Sequence, residues 1–221
     1  MPRTPSPPSP PGRRPSPIRR RLALLLTAPA CALTSAATAQ AALTVYAGAR
    51  SGADLVDAHD GNRSIRLAGG GAWAASLDWP AGDDARQVQL FVARQRSELP
   101  GQPFGRTQPV AIDASSLQIG GRSFVDGDAR RGGSYVVGAI GVTHYAPGLG
   151  GLASETRPAM NLGVGWQWVP APAVALRAEL RAHVTLLNSR GGLFCSGGCV
   201  FQIRGDTLVQ GEAMVGLSVG F

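Results

Sequence analysis

Apolar and polar side chains alternate along almost the whole chain beyond residue 42. Between Val174 and Leu186, one set of positions carries Val174, Leu176, Ala178, Leu180, Ala182, Val184 and Leu186; the other carries Ala175, Arg177, Glu179, Arg181, His183 and Thr185. The last segment behaves alike: Val209, Gly211, Ala213, Val215, Leu217, Val219 and Phe221 oppose Gln210, Glu212, Met214, Gly216, Ser218 and Gly220. Successive strand residues point to opposite faces, so a strict period of two predicts strands whose two faces meet different surroundings.

Six further segments read this way: 43–50, 64–79, 86–96, 116–125, 134–145 and 160–169. The apolar sets include Leu43 and Val45, then Ile65, Leu67, Trp73, Leu77 and Trp79, then Val88, Leu90 and Val92. Further along come Leu117 and Ile119, Val136, Ile140 and Val142, and finally Met160, Leu162, Val164, Trp166 and Trp168. The connections alternate in length. Pro80–Asp84, Asp126–Gly133 and Pro170–Ala173 are short and turn-rich, whereas Ser51–Gly61, Ser97–Ser115, Ala146–Ala159 and Ser189–Asp206 are long. An even strand count, segments of about ten residues, aromatic ends and alternating turns and loops predict an all-β fold. The expected architecture is an eight-stranded antiparallel up-and-down transmembrane β-barrel with its short turns in the periplasm.

Composition changes this picture in one place. The chain has 21 Lys+Arg against 14 Asp+Glu, but residues 1–41 hold six of the arginines and no acid, leaving 15 against 14 in the remainder. Nine of the 17 prolines lie there too. The high isoelectric point therefore belongs to a leader and does not mark a nucleic-acid surface. Ile18 to Ala41 reads as a cleaved signal peptide: Arg19–Arg21, an apolar run Leu22–Leu33, and the small-x-small site Ala39-Gln40-Ala41. The apolar run is short of the ~20 residues that span a bilayer as a helix. Cys31 sits in a poor context for lipid attachment, and a twin-arginine reading conflicts with unfolded export of a barrel. Residues 1–41 are thus expected to be disordered leader plus signal, and 42–221 a single barrel domain.

A soluble lipocalin-like barrel or β-sandwich would alternate equally well. The polar face separates the readings, because it is made of Gly, Ser, Gln and a few opposed charges without the Lys and Glu that solvate a water-facing sheet.

The C-terminal strand, with Phe221 last and Leu217 and Val219 at alternate positions before it, resembles the terminal assembly signal of bacterial outer-membrane proteins. As a whole, 42–221 resembles the small bacterial outer-membrane β-barrel family, akin to the OmpA transmembrane domain and OmpW. Ser154-Glu155-Thr156-Arg157, Leu176-Arg177-Ala178-Glu179, Phe194-Cys195-Ser196-Gly197-Gly198-Cys199 and Ile203-Arg204-Gly205-Asp206 look like one proteobacterial subgroup of it. The resemblance implies outer-membrane lipid and lipopolysaccharide as surroundings, and insertion by the barrel-assembly machinery acting on Leu217, Val219 and Phe221. It implies no catalytic activity and no cofactor.

Chemistry-bearing residues fall mainly on the polar face: Arg50, Arg66, Asp78, Arg122, Arg177, Glu179, Arg181, His183 and Glu212. An eight-stranded barrel is only wide enough to be filled by side chains, and buried charges must be paired. These residues are therefore expected to form a salt-bridged lumen network, with Glu179 and Glu212 answering arginines of adjacent strands. Glu179, His183 and Thr185 faintly resemble the catalytic group of outer-membrane lipid A deacylases, but a hydroxyl nucleophile needs an adjacent oriented base. Cys195 and Cys199, flanking Ser196-Gly197-Gly198 in an exported loop, read as a disulfide rather than a metal site. Asp54, Asp57, His59 and Asp60 lack calcium-loop spacing. The expected function is a structural or surface-interaction role through extracellular loops. Passive transport of a small or apolar solute comes second and a lipid-modifying enzyme third.

Overall fold

The computed structural model describes residues 41–57, 63–101, 107–187, 192–193, 201–202 and 207–221, with backbone alone at 54–57, 63–66, 192–193 and 201–202. All of the leader and signal but Ala41, together with His59, Asp60, Cys195 and Cys199, lie outside the described residues.

The described residues form twelve strands: β1 Ala42–Arg50, β2 Ala53–Asp57, β3 Arg63–Leu67, β4 Gly70–Pro80, β5 Arg86–Leu99, β6 Val110–Phe124, β7 Gly132–Pro147, β8 Glu155–Ala171, β9 Val174–Leu186, β10 Gly192–Leu193, β11 Phe201–Gln202 and β12 Thr207–Gly220. Eight of them close an antiparallel barrel in the order β1-β12-β9-β8-β7-β6-β5-β4; β2–β3 and β10–β11 are separate two-stranded sheets. Closure is made by β1, which pairs with both β4 and β12. Both chain ends of the barrel lie at one rim, where Ala42 faces Gly220 and Phe221 donates its backbone N–H to Ala41 O at 2.8 Å.

The register fixes the barrel's shape. A row of partners starting at Leu43 passes through Leu77, Leu90, Ile119, Ile140, Met160 and Val184 to Val209. By the β1–β12 register, position 209 would face position 53, ten residues beyond the start, so the shear is ten. With strands ~4.8 Å apart and a rise of ~3.3 Å per residue, eight strands of that shear tilt by roughly 40°.

The alternation places side chains as the period of two requires. Leu43, Val45, Leu117, Ile140, Leu162, Leu180 and Val215 stand exposed on the outside, while Thr44, Tyr46, Gln89, Gln118, Arg177 and Glu179 are buried inside. Such a barrel is apolar outside and polar within.

Two expectations need correction. Residues 64–79 are not one strand: β3 pairs with β2 in a hairpin at the far rim, and the barrel strand begins only at Gly70. The reason is the short partner, since β1 ends at Arg50, opposite Gly70. Residues 63–67 therefore find β2 instead, and Ala68 turns its N–H to Glu98 O. Leu67 is consequently buried inward while Trp73, of the same parity, points out. Arg66, expected in the lumen network, belongs to this hairpin, where its backbone faces Asp54. The second correction concerns length. At the far rim β5, β6 and β8 run three, six and five residues beyond 86–96, 116–125 and 160–169, and β7 two beyond 134–145.

Candidate functional site

Inside the barrel the polar side chains gather round three carboxylates, stacked from the termini rim towards the far rim. The lowest is Asp78 on β4. Its Oδ1 accepts from Arg122 Nη2 at 3.1 Å and Gln89 Nε2 at 2.7 Å; its Oδ2 accepts from Arg177 Nη1 at 2.6 Å and Ser76 Oγ at 2.9 Å. Both side chains of the Asp78–Arg122 pair are fully inaccessible to solvent. Ion pairs so thoroughly removed from water depend on further hydrogen bonds to the same groups: Asp78 makes four from four strand positions, while Arg122 leaves its Nε without a partner.

Glu179 on β9 forms the middle tier. Tyr46 and Tyr135 donate their hydroxyls to its Oε1 at 2.9 and 2.7 Å, and Arg181 approaches its Oε2 at 2.6 Å. The two tyrosines come from β1 and β7, each two strands away from β9. Each ring crosses the intervening strand over a glycine. A Cβ on Gly216 would meet the Tyr46 ring at 2.5 Å, and one on Gly165 would meet the Tyr135 ring at 2.4 Å. These two glycines are what let both tyrosines lie flat against the wall and reach the carboxylate.

The third tier is Glu212 on β12. Arg50, directly opposite on β1, reaches its Oε1 at 3.0 Å, and His183 Nε2 lies 2.7 Å from its Oε2. Side-chain amides tie the tiers together. Arg181 donates to Asn161 Oδ1 at 3.1 Å and to Gln89 Oε1 at 3.0 Å, Asn161 bonds to Gln118, and Arg177 donates to Gln167 Oε1 at 2.9 Å. Arg122 also stacks over the Tyr135 ring at 4.6 Å and Arg181 over Phe91 at 4.1 Å, contacts favoured by the negative face of an aromatic ring.

The structure thus brings Arg122, Arg177, Glu179, Arg181, His183 and Glu212 into one interior, together with Arg50 and Asp78. The pairing differs from the adjacent-strand scheme in one respect. Glu212 does meet the arginine of its neighbouring strand, whereas Glu179 is paired within its own strand by Arg181. Sequence reasoning underrated Asp78, which joins β4 to β6 and β9, and missed both tyrosines. The available signal was that Tyr46 and Tyr135 share the parity of the charged residues.

The hydroxyl–base arrangement suggested by Glu179, His183 and Thr185 is not assembled. His183 is engaged by Glu212, and Thr185 Oγ1 bonds to Tyr145 OH at 3.1 Å. On the outside, Leu217 and Val219 stand exposed on the apolar wall, and Phe221 stands exposed at the termini rim. No group of three or more metal-ligating side chains occurs among the described residues.

No protein-family model matches the chain, and no curated protein matches it in sequence. Solved structures do. Neisserial surface protein A superposes with a TM-score of 0.51 at 16% identity, covering 81% of this chain and 99% of that one. The outer membrane protein OprG from Pseudomonas aeruginosa gives 0.49 at 10% identity, covering 83% and 96%. Ail, the attachment invasion locus protein of Yersinia pestis, in complex with the heparin analogue sucrose octasulfate, gives 0.45 at 13% identity, covering 82% and 99%. Identities this low speak of fold alone, and the first of these carries that comparison. Closed, eight-stranded, antiparallel and apolar outside, the chain has the fold of the small bacterial outer-membrane β-barrels.

Proposed function

We propose that the protein is an integral component of the bacterial outer membrane whose lumen is closed by its own side chains, and that it works through the surface its extracellular end presents. In this reading the termini rim with its short turns faces the periplasm, and the exposed apolar wall meets outer-membrane lipid and lipopolysaccharide. The strand ending at Leu217, Val219 and Phe221 is the element engaged by the barrel-assembly machinery.

One observation carries the closed lumen: each of the four buried arginines of the network has a carboxylate oxygen within 3.1 Å, shared among only three acids. An open aqueous path would leave such groups to water. Here they bond to one another across the full width of an interior that eight strands leave just wide enough for side chains. The reading includes no catalysis, since His183 and Thr185 are each committed to structural partners.

Planar-bilayer recording on refolded protein tests this. The closed reading expects a flat trace at moderate voltage. Discrete single-channel steps would instead favour the second reading, a narrow passive path for a small solute.

A further inference from the structure

The alternation of the barrel strands does not keep one sense from rim to rim. On β5 the outward positions run Val88, Leu90 and Val92, then Arg94, Arg96 and Glu98; on β6 they run Ile119 and Leu117, then Ser115 and Asp113. On β7, Ile140 and Val142 are followed by His144, and on β8, Met160 and Pro158 by Thr156. The outward set thus turns from apolar to polar on four consecutive strands. Bonds along this polar stretch run sideways over the wall: Arg94 to Asp113 at 3.4 Å and His144 to Thr156 at 2.9 Å.

The inward set turns the opposite way. Below, it is Asp78, Glu179, Glu212 and their arginines. Towards the far rim Leu99, Val110, Ile112, Leu187 and Leu208 form one buried apolar cluster, beside which the inward positions of β8 keep the pair of Arg157 and Glu155 at 2.7 Å. Leu67 from the β2–β3 hairpin closes the cluster, and Leu149 and Leu152 pack against it. Resolved along the barrel axis with a tilt of roughly 40°, the outward apolar side chains fill a band roughly 25 Å tall, the height of a lipid-facing belt. All three carboxylate tiers lie at the level of that band, and the inner apolar cluster lies above it.

We propose that the barrel leaves the outer leaflet along a line at about the height of Ser115, with Arg94 just below it and His144 and Thr156 above it. What stands beyond that line is a water-exposed extension held by its own apolar core. Its outer wall is a surface fitted to the polar headgroup layer and the medium, with charges of both signs, while its interior is that of a soluble β-protein. Two solvents explain the two senses of alternation: lipid outside demands apolar-out, and water outside demands polar-out. This rests on the membrane reading above and locates where the presented surface begins.

The test uses single cysteines in a Cys31→Ser, Cys195→Ser, Cys199→Ser background, refolded into dioleoylphosphatidylcholine vesicles and exposed to a membrane-impermeant maleimide. Ser115→Cys and Thr156→Cys should label at least about tenfold faster than Leu117→Cys and Ile140→Cys. If Ser115→Cys and Thr156→Cys are as slow as Leu117→Cys, the line lies elsewhere and the proposal fails. If all four label fast, the membrane reading itself fails. A second variant addresses the core. Ile112→Asn should still insert, shown by its heat-modifiable gel shift, but should become sensitive to protease between β5 and β6. Unchanged protease resistance, or failure to insert, overturns a separate core in the extension.

Discussion

At the level of the apolar belt, Leu117 and Ile119 point outward from β6 and Gln118 inward; a few residues up the same strand, Ser115 and Asp113 point outward and Ile112 and Ala114 inward. Strand, pairing and period are unchanged between the two regions. Only the sense of the alternation differs. A period of two therefore reports that a strand has two unlike faces, and the identity of the side chains at each height reports which face is wet. The two regions also differ in what fills them: ion pairs and amides below, aliphatic packing above.

The most damaging way to break the lower region is to remove its shared acid. Asp78→Ala leaves Arg122 and Arg177 buried without a carboxylate, a change that costs about 3–5 kcal/mol when one partner of a buried pair is lost. Urea unfolding from vesicles, followed by tryptophan fluorescence, should show the loss, whereas a variant as stable as the parent would deny the ion pairs their structural role. Leu180→Arg attacks the same region from outside. Leu180 is 60% exposed in the middle of the belt, where a charge facing lipid costs roughly 2–4 kcal/mol. The folded fraction on a semi-native gel should fall accordingly.

Arg181→Leu, one residue along, changes the opposite face. Glu179 keeps both tyrosine donors but loses the cation paired with it, so the loss should lie at the lower end of the range for a broken buried pair, about 3 kcal/mol. This variant should insert and melt at lower temperature. If Leu180→Arg inserts normally and Arg181→Leu does not, the inward and outward faces of β9 are exchanged. The smallest effect belongs to the extension's outer wall. Arg94 and Asp113 are half- and one-third exposed, and exposed pairs contribute about 0–1 kcal/mol, so Arg94→Ala should shift the urea midpoint barely or not at all.

How much of this the sequence revealed depended on the same contrast. β9 was legible end to end, 174–186, because its period of two runs unbroken, with the charges all on one face. β5 was read to residue 96 and β6 only from 116, although they extend to Leu99 and from Val110. Those missing ends lie where the sense reverses, so the expected outward set no longer matched. The merging of 64–67 with 70–79 had a different cause: parity carried across Ala68 and Gly69, and only the length of β1 reveals that the chain leaves the barrel there. In the lumen the charged residues were legible by parity. Their partners were not, because Asp78 bonds to arginines two and three strands away, and such reach depends on a barrel narrow enough to cross. Tyr46 and Tyr135 were invisible as ligands of Glu179 because their reach depends on Gly216 and Gly165 in the strands between.

The claim beneath all of this is that the outward apolar face meets acyl chains, and the protein carries its own probes for it. Its four tryptophans, Trp73, Trp79, Trp166 and Trp168, all sit on the outward parity. Trp73 lies toward the extracellular edge of the belt, and the other three lie near the periplasmic edge. Refolded into vesicles of lipids brominated at successive depths, the protein should show strong quenching, greatest for bromines near the headgroups where aromatic girdles reside. Tryptophan emission indifferent to bromine at every depth would contradict the account.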